Sequence, residues 1–205
     1  DGAPAAPVVP VDTVTPAPVR YFGTSAADAA VGGDGADIML GRGGDDALIG
    51  EGGNDVLRGE EGDDFLSGDA GRDMLFGGTG NDDILAGQDA DMVYGDDGQD
   101  RLFGNEGDDI LNGGLGDDTL HGDEGDDLFV ASEGDGNDVY DGGIGTDTLD
   151  MSAILANITV DLGIGLMGRG AASGAGLDTL YGIENVATGS GHDTIFANAA
   201  VNVLD

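Results

Sequence analysis

The stretch GRGGDDALI (residues 41–49), GEGGNDVLR (50–58) and GEEGDDFLS (59–67) repeats one nine-residue phrase three times. Glycine opens each copy and recurs at the fourth place, aspartate holds the sixth place, and an aliphatic residue holds the eighth. The phrase continues on both sides and gives eleven copies between Gly32 and Val130. Because repetition at a fixed period is typical of solenoids, this run decides the fold.

The composition of the chain is strongly acidic. Its 205 residues include 42 acidic and 6 basic side chains, which give a formal charge of −36 at pH 7. Repulsion of this size opposes a compact state unless counter-ions bind, so it favours cations as partners and argues against nucleic acid and anionic membranes. A disordered acidic polymer is the alternative. The regular spacing of apolar residues and glycines counts against disorder, and no apolar run approaches the roughly 18 residues of a membrane span.

The segments around the repeat have different compositions. Residues 1–20 contain all five prolines, which predicts an extended linker. Residues 21–31 are a predicted lead-in, in which Tyr21 and Phe22 cover the open end of the array at 32–130, since terminal repeats of a solenoid need a cap. Two extra residues then break the phase, and two further copies fill 131–150.

Residues 151–205 are predicted to form a divergent β segment of the same kind. Degenerate copies occur at 173–181 (SGAGLDTLY), 188–196 (TGSGHDTIF) and 197–205. Alternation around Val160 predicts a half-buried strand. The Gly-rich stretch at 163–176 predicts a mobile loop, and GIENV (182–186) a short connector.

Each phrase predicts a turn followed by a short strand. Its glycines at places one and four, and often two, adopt positive φ cheaply, which suits a turn. Its last three residues alternate as a strand does, with the eighth place pointing to one side and the seventh and ninth to the other. Such a unit buries nothing alone. Stacked copies share backbone hydrogen bonds and bury their eighth-place residues in one column.

If two phrases make one coil of about 18 residues, odd and even copies lie on opposite sheets. The sixth-place aspartates then form two rows with neighbours about 4.8 Å apart, where carboxylates repel unless a cation lies between them. Calcium suits such a gap because it takes six to eight oxygens in flexible geometry, backbone carbonyls included, whereas magnesium demands tighter geometry. Zinc prefers nitrogen and sulfur, and the chain has two histidines and no cysteine. The predicted ligands are Asp37, Asp46, Asp55, Asp64, Asp73, Asp82, Asp91, Asp100, Asp109, Asp118, Asp127, Asp138 and Asp147.

The phrase resembles the G-G-x-G-x-D-x-U-x nonapeptide of the RTX (repeats-in-toxin, hemolysin-type) calcium-binding proteins of bacteria, and GGDGADIML (32–40) fits every place. The resemblance implies an all-β, right-handed parallel β-roll, with calcium held between turns by the sixth-place aspartates and by turn carbonyls. It also implies a secreted or cell-surface protein that leaves through a type I secretion machinery and folds outside. Stacking predicts on the order of nine calcium gaps or more. The predicted carbonyl donors are the fourth-place glycines Gly35, Gly44, Gly53, Gly62, Gly71, Gly80, Gly98, Gly107, Gly116 and Gly125.

The seventh copy, AGQDADMVY (86–94), departs from the phrase. Ala86 replaces the first glycine, and Asp89 replaces the fourth, where aspartate tolerates left-handed backbone better than most residues. We therefore expect a weaker or distorted site at Asp91.

No catalytic constellation accompanies the repeat. Second carboxylates at place five recur in Asp45, Asp63, Asp108, Asp117 and Asp126, and a pair used so often is predicted to build structure. We therefore expect no enzymatic activity in this chain.

The outward places seven and nine differ between the two predicted sheets. On odd copies they include Ile38, Val56 and Met74, and they are much more apolar than on even copies. A contiguous apolar patch usually marks an interface, so we expect residues 151–205 or a second protein to cover it. The alternative is simple β-propensity.

The sequence therefore predicts a calcium-binding module that folds on calcium binding after export. Two alternatives stay open: an adhesive or surface-layer segment, and the carboxy-terminal part of a secreted enzyme whose catalytic domain lies upstream.

Overall fold

The computed structural model describes residues 17–157, 159–161, 170–173 and 177–196. In these residues the chain forms twenty β-strands, arranged in two sheets, and no helix. The described part of the chain accordingly contains no helix that is long and apolar enough to cross a membrane.

The strands of each sheet come from alternate copies of the repeat. The odd sheet contains, in spatial order, β1 (Arg20–Phe22), β3 (Ile38–Gly43), β5 (Val56–Glu61), β7 (Met74–Thr79), β9 (Met92–Asp97), β11 (Ile110–Leu115), β13 (Leu128–Val130), β15 (Asp147–Met151) and β19 (Ile183–Thr188). The even sheet contains β2 (Ala29–Gly33), β4 (Ala47–Glu51), β6 (Phe65–Ala70), β8 (Asp83–Gln88), β10 (Arg101–Glu106), β12 (Thr119–Glu124), β14 (Val139–Ile144), β18 (Leu177–Tyr181), β17 (Gly170–Ser173), β16 (Thr159–Asp161) and β20 (Thr194–Phe196).

Neighbouring strands of the array are parallel and offset by 18 residues. Leu57 in β5 pairs with Leu75 in β7, and Leu48 in β4 pairs with Leu66 in β6. The predicted coil of two copies and the predicted parallel β-solenoid are therefore confirmed. Among the described strands only β17, beyond the array, runs antiparallel to the neighbours that it pairs with.

The strands are longer than predicted. A typical strand such as β5 has six residues and includes the first three places of the next copy as well as places seven to nine. In β5, Glu60 and Glu61 still pair with Gly78 and Thr79 one coil further on. The turn is therefore confined to places four to six, because stacked backbones continue to satisfy each other's N–H and C=O groups beyond the apolar triplet.

The eighth-place residues form the core. They are fully or almost fully buried from Met39 to Leu149 and belong to one hydrophobic cluster. At the amino-terminal end the coil begins earlier than expected, because β1 and β2 lie partly or wholly in the predicted linker and lead-in. Tyr21 packs against the core there, whereas Phe22 is exposed. Residues 1–16 of the predicted linker lie outside the described residues.

The described strands of residues 151–205 extend the two sheets. The strand β18 pairs with β14, and β19 pairs with β15, so Ile183–Val186 of the predicted connector belong to a strand and only Gly182 connects the two strands. Val160 is buried as predicted. Residues 170–173 of the predicted loop form β17, and the rest of that loop lies outside the described residues.

The prediction that this segment covers the odd sheet is wrong for the described strands. Pairing at the carboxyl-terminal end of both sheets directs them along the solenoid axis and not across its face. On the odd sheet, Ile38, Met74 and Met92 stay 37–39% exposed. A covering protein partner remains a prediction.

Candidate metal centre

Two rows of buried aspartates run along the solenoid. All thirteen predicted sixth-place aspartates are at most 3% exposed. The odd-copy row begins at Asp37 and the even-copy row at Asp46, because each coil of 18 residues contributes one aspartate to each row. The structure therefore brings these side chains together in the arrangement that the repeat predicts, although their role as calcium ligands remains a prediction.

One oxygen of each carboxylate ties successive coils together. The backbone N–H of Asp37 donates to Oδ1 of Asp55 (2.8 Å), and that of Asp55 donates to Oδ1 of Asp73 (2.7 Å). The even-copy row behaves identically and crosses the phase break, since the N–H of Asp118 donates to Oδ1 of Asp138 (2.9 Å). These charge-assisted bonds fix the carboxylates in register.

The other oxygen of nearly every carboxylate is buried without a partner. These unpaired Oδ2 atoms belong to Asp37, Asp46, Asp55, Asp64, Asp73, Asp82, Asp91, Asp100, Asp109, Asp118, Asp127, Asp147 and Asp178. A buried charged acceptor without a donor costs several kcal/mol, so buried carboxylates are normally paired or bound to metal. The row of unpaired oxygens is therefore the observation that points most directly to cations.

The glycine at place one leaves room for this oxygen. A methyl group at Gly50 would overlap Oδ2 of Asp55 and would lie 2.8 Å from the carbonyl oxygen of Gly68 in the next coil. We expected positive φ at this place, but the left-handed residues of the array occupy places two and four. Glycine at place one serves close approach and not backbone conformation, and of the eleven copies only the seventh, with Ala86, has another residue there.

The predicted fourth-place donors form a row of their own. The carbonyl oxygen of Gly53 faces Gly71, which is the fourth-place residue one coil further on, and that of Gly62 faces Gly80. Their role as calcium ligands remains a prediction. Among the described residues, no three carboxylate or imidazole side chains gather around one point. Any cation in the gaps must therefore complete its shell with such backbone carbonyls, as calcium does readily.

Burial raises the pKa values of most of these aspartates, Asp73 and Asp82 among them, well above 3.8. The pKa rises to about 6 for Asp55 and Asp109, to about 7 for Asp100, and to about 8 for Asp91. Burial is the largest cause in each case, followed by the opposing effect of the backbone N–H donor, and repulsion from other aspartates raises the values further. A bound divalent cation would remove this penalty by favouring the charged form.

These shifts predict how pH affects the metal-free protein. A carboxyl group whose folded pKa is raised contributes stability that is present below its unfolded pKa and is lost as pH rises through the folded pKa. The metal-free chain is therefore expected to gain β-structure as pH falls from 8 to 5, the range in which the folded-state values of about 6 to 8 are crossed.

Far-ultraviolet circular dichroism of chelator-dialysed protein measures this gain, and light scattering on the same samples separates folding from aggregation. A signal that stays flat over this pH range would show that the buried carboxylates do not limit folding.

The seventh copy keeps its backbone geometry. The N–H of Asp73 donates to Oδ1 of Asp91 (2.7 Å), and the N–H of Asp91 donates to Oδ1 of Asp109 (2.8 Å). Asp89 has φ 72°, as predicted for the fourth place. The distortion that we expected is therefore absent from this ladder. Weaker binding at Asp91 remains a prediction, because Ala86 is fully buried and brings a methyl group to place one.

The place-five residues form a second ladder, which we did not predict in detail. The N–H of Asn81 donates to Oδ1 of Asp63 (2.8 Å), and the N–H of Gln99 donates to Oδ1 of Asn81 (2.9 Å). The N–H of Asp126 likewise donates to Oδ1 of Asp108 (2.9 Å). Aspartate and asparagine serve equally as acceptors here, which gives these carboxylates a structural role.

Four acidic residues in or beside the two rows were not among the predicted ligands. Asp28 accepts the N–H of Thr24 (2.6 Å), and its own N–H donates to Asp46, so residues 23–31 of the lead-in (GTSAADAAV) are a degenerate copy of the phrase. Glycine at place one and aspartate at place six of this stretch could have identified Asp28 from the sequence. The sixth place of SGAGLDTLY could likewise have identified Asp178.

The other two carry no repeat signal. Glu184 accepts the N–H of Asp147 (3.0 Å) in the place of a sixth-place aspartate, and Asp135 lies buried in the turn after the phase break. A glutamate within a divergent strand and an aspartate at place three both fall outside the phrase.

The comparisons with known proteins agree with this geometry. A four-copy model of the RTX calcium-binding nonapeptide repeat matches residues 22–57, 58–93, 94–129, 134–149 and 178–205. No match was found among curated proteins. The matched segments cover well over half of the chain, and they include the degenerate copy at 23–31 and Asp178. The chain therefore belongs to the family of RTX calcium-binding nonapeptide repeat proteins.

Proposed function

We propose that this chain is a module that folds when its aspartate rows bind calcium, and that it acts outside the cell after export through a type I secretion machinery. The observation that carries the proposal is the row of buried, unpaired Oδ2 atoms in a chain of charge −36. Calcium supplies positive charge and accepts oxygen ligands only, which is the donor set that the turns offer.

The same electrostatics support the proposed route of secretion. In a compartment with little calcium, repulsion between the carboxylates opposes stacking, so the chain stays extended enough to pass through a narrow channel. Millimolar calcium outside the cell then favours the stacked coils. We further propose that the chain has no catalytic activity of its own, since its recurring place-five acids take part in hydrogen-bond ladders.

Direct measurement of calcium binding tests the proposal. Equilibrium dialysis of metal-free protein against calcium is expected to give cooperative uptake of several ions per chain, with dissociation constants near 10⁻⁴ to 10⁻³ M, and much weaker uptake of magnesium. Binding of fewer than about two calcium ions at saturation, or equal uptake of magnesium, would refute it.

A pair of matched variants gives the control. Asp100→Asn removes a buried sixth-place carboxylate but keeps an oxygen for the N–H of Asp82. Asp97→Asn removes the same charge from an exposed third place. We expect weaker calcium binding for the first variant and unchanged binding for the second.

A further inference from the structure

The turn after the phase break contains a buried aspartate at an unusual place. The N–H of Gly116 donates to the carbonyl oxygen of Asp135 (2.5 Å), just as the N–H of Gly98 donates to that of Leu115 (2.8 Å) in the preceding coil. Asp135 therefore occupies the third place of its turn, and the two inserted residues, Ala131 and Ser132, lie before it.

The side chain of Asp135 points inward, unlike its counterparts. It is 3% exposed, whereas the third-place residues Leu115 and Ile144 are 56% and 72% exposed. Its Oδ2 accepts the N–H of Ser132 (2.6 Å), and its Oδ1 is buried without a partner. A buried carboxylate oxygen without a hydrogen-bond donor of good geometry is uncommon in proteins, so this oxygen calls for an explanation beyond the loop cap.

The neighbouring carboxylate of Asp138 has no unpaired oxygen, unlike the other predicted sixth-place aspartates. The hydroxyl of Tyr140, the eighth-place residue of the same copy, donates to Oδ2 of Asp138 (3.0 Å). Among the predicted sixth-place aspartates, which the structure describes in full, only Asp138 has both oxygens occupied in this way. The gap between Asp118 and Asp138 is therefore one carboxylate oxygen short.

Asp135 lies beside the turn that carries Asp118, because its carbonyl oxygen accepts the N–H of Gly116, two residues before Asp118. Its charge acts on the carboxylates of Asp118, Asp138 and Asp178, and it contributes to raising the pKa of each. Within the described residues no other acid outside the sixth-place rows has a buried, unpaired oxygen.

We propose that Asp135 is a calcium ligand at the phase break, where its Oδ1 replaces the Oδ2 that Asp138 gives up to Tyr140. The site would combine Asp118 and Asp135 carboxylates with turn carbonyls, so its donor set differs from that of the regular gaps. The inference rests on the proposed calcium-binding function.

Asp135→Asn tests the ligand role. Asparagine still offers an oxygen to the N–H of Ser132, so a loop cap survives, but one carboxylate oxygen and its charge are lost. Native mass spectrometry and equilibrium dialysis with calcium are expected to show about one ion fewer per chain, or roughly tenfold weaker binding of one ion. Asp97→Asn, an exposed third-place control, is expected to bind as the wild type does.

Tyr140→Phe supplies a second, independent measurement. Removal of the hydroxyl frees Oδ2 of Asp138, so the double variant Asp135→Asn/Tyr140→Phe is expected to recover the ion that Asp135→Asn loses. If Asp135→Asn does not fold at saturating calcium, recovery of folding by Tyr140→Phe supports the ligand role, and failure to recover overturns it.

The remaining outcomes are equally distinct. Unchanged stoichiometry and affinity in Asp135→Asn would show that Asp135 acts as a loop cap only, with the proposed function intact. A wild-type chain that binds no calcium would instead overturn the proposed function itself.

Discussion

Removal of calcium at pH 7.5 is expected to abolish most of the β-sheet circular dichroism of this chain, and millimolar calcium is expected to restore it. The chain has 42 acidic and 6 basic side chains, and its folded form buries two rows of carboxylates, in which burial raises the pKa of members such as Asp73 and Asp100. Near neutral pH the metal-free fold must either hold these charges unpaired or protonate them.

The expected effect is as large as the stability of an ordinary domain. Calcium at about ten times the dissociation constant of one site stabilises the fold by about 1.4 kcal/mol through that site. On the order of nine such sites would together contribute on the order of 13 kcal/mol, whereas a domain is typically stable by about 5–15 kcal/mol. Without calcium, little net stability is left.

A titration with sodium chloride at matched ionic strength is the control. Salt screens exposed charges over about 10 Å at 0.1 M, but sodium chloride does not provide a divalent cation for the buried oxygens to bind. If sodium chloride or magnesium restored the β-signal as well as calcium does, screening would account for folding, and the calcium-dependent mechanism would be wrong.

Gly50→Ala is expected to destabilise the calcium-bound fold by about 2–4 kcal/mol, from overpacking and from loss of one calcium site. The new methyl group would overlap Oδ2 of Asp55 and crowd the carbonyl oxygen of Gly68. The carboxylate of Asp55 must then move away from the gap between the coils, which disturbs the packing and weakens the calcium site.

Gly52→Ala is the matched control in the same copy. A methyl group there would lie 3.7 Å from Cα of Asp34 and 3.8 Å from the carbonyl oxygen of Ala70, which are ordinary contacts. We expect a change within about 0.5 kcal/mol. Urea unfolding at fixed calcium measures both variants, and the calcium midpoint of folding measures loss of the site. Equal effects of the two substitutions would mean that glycine at place one serves backbone flexibility and not the space beside the carboxylate.

The fold of the array could be predicted because every copy meets the same surroundings. An eighth-place residue such as Leu102 is flanked by another aliphatic residue one coil away on either side, Ile84 and Leu120, so a local pattern already specifies a long-range contact. The same logic placed Asp100 beside Asp82 and Asp118. Repetition turns a contact between residues 18 apart into a property of one phrase.

Other features lie outside that logic because they depend on how the coils stack or on where the chain returns after an irregular segment. Glycine occurs at places one and four and often at place two. Only the stacked backbones show that glycine at place one provides space, while residues at places two and four adopt positive φ. Asp178 follows Asp138 by 40 residues, a separation that no period specifies.

The sequence by itself thus determined the coil of two copies, the core column and the two aspartate rows, because each is a consequence of the nine-residue period. Only the tertiary structure decided the length of the strands, the extension of both sheets by the described part of residues 151–205, and the inward turn of Asp135. The length of the strands depends on backbone hydrogen bonds that continue between stacked coils beyond the apolar triplet. The other two features depend on contacts between segments that share no repeat register, so their partners are set in space and not by position along the chain.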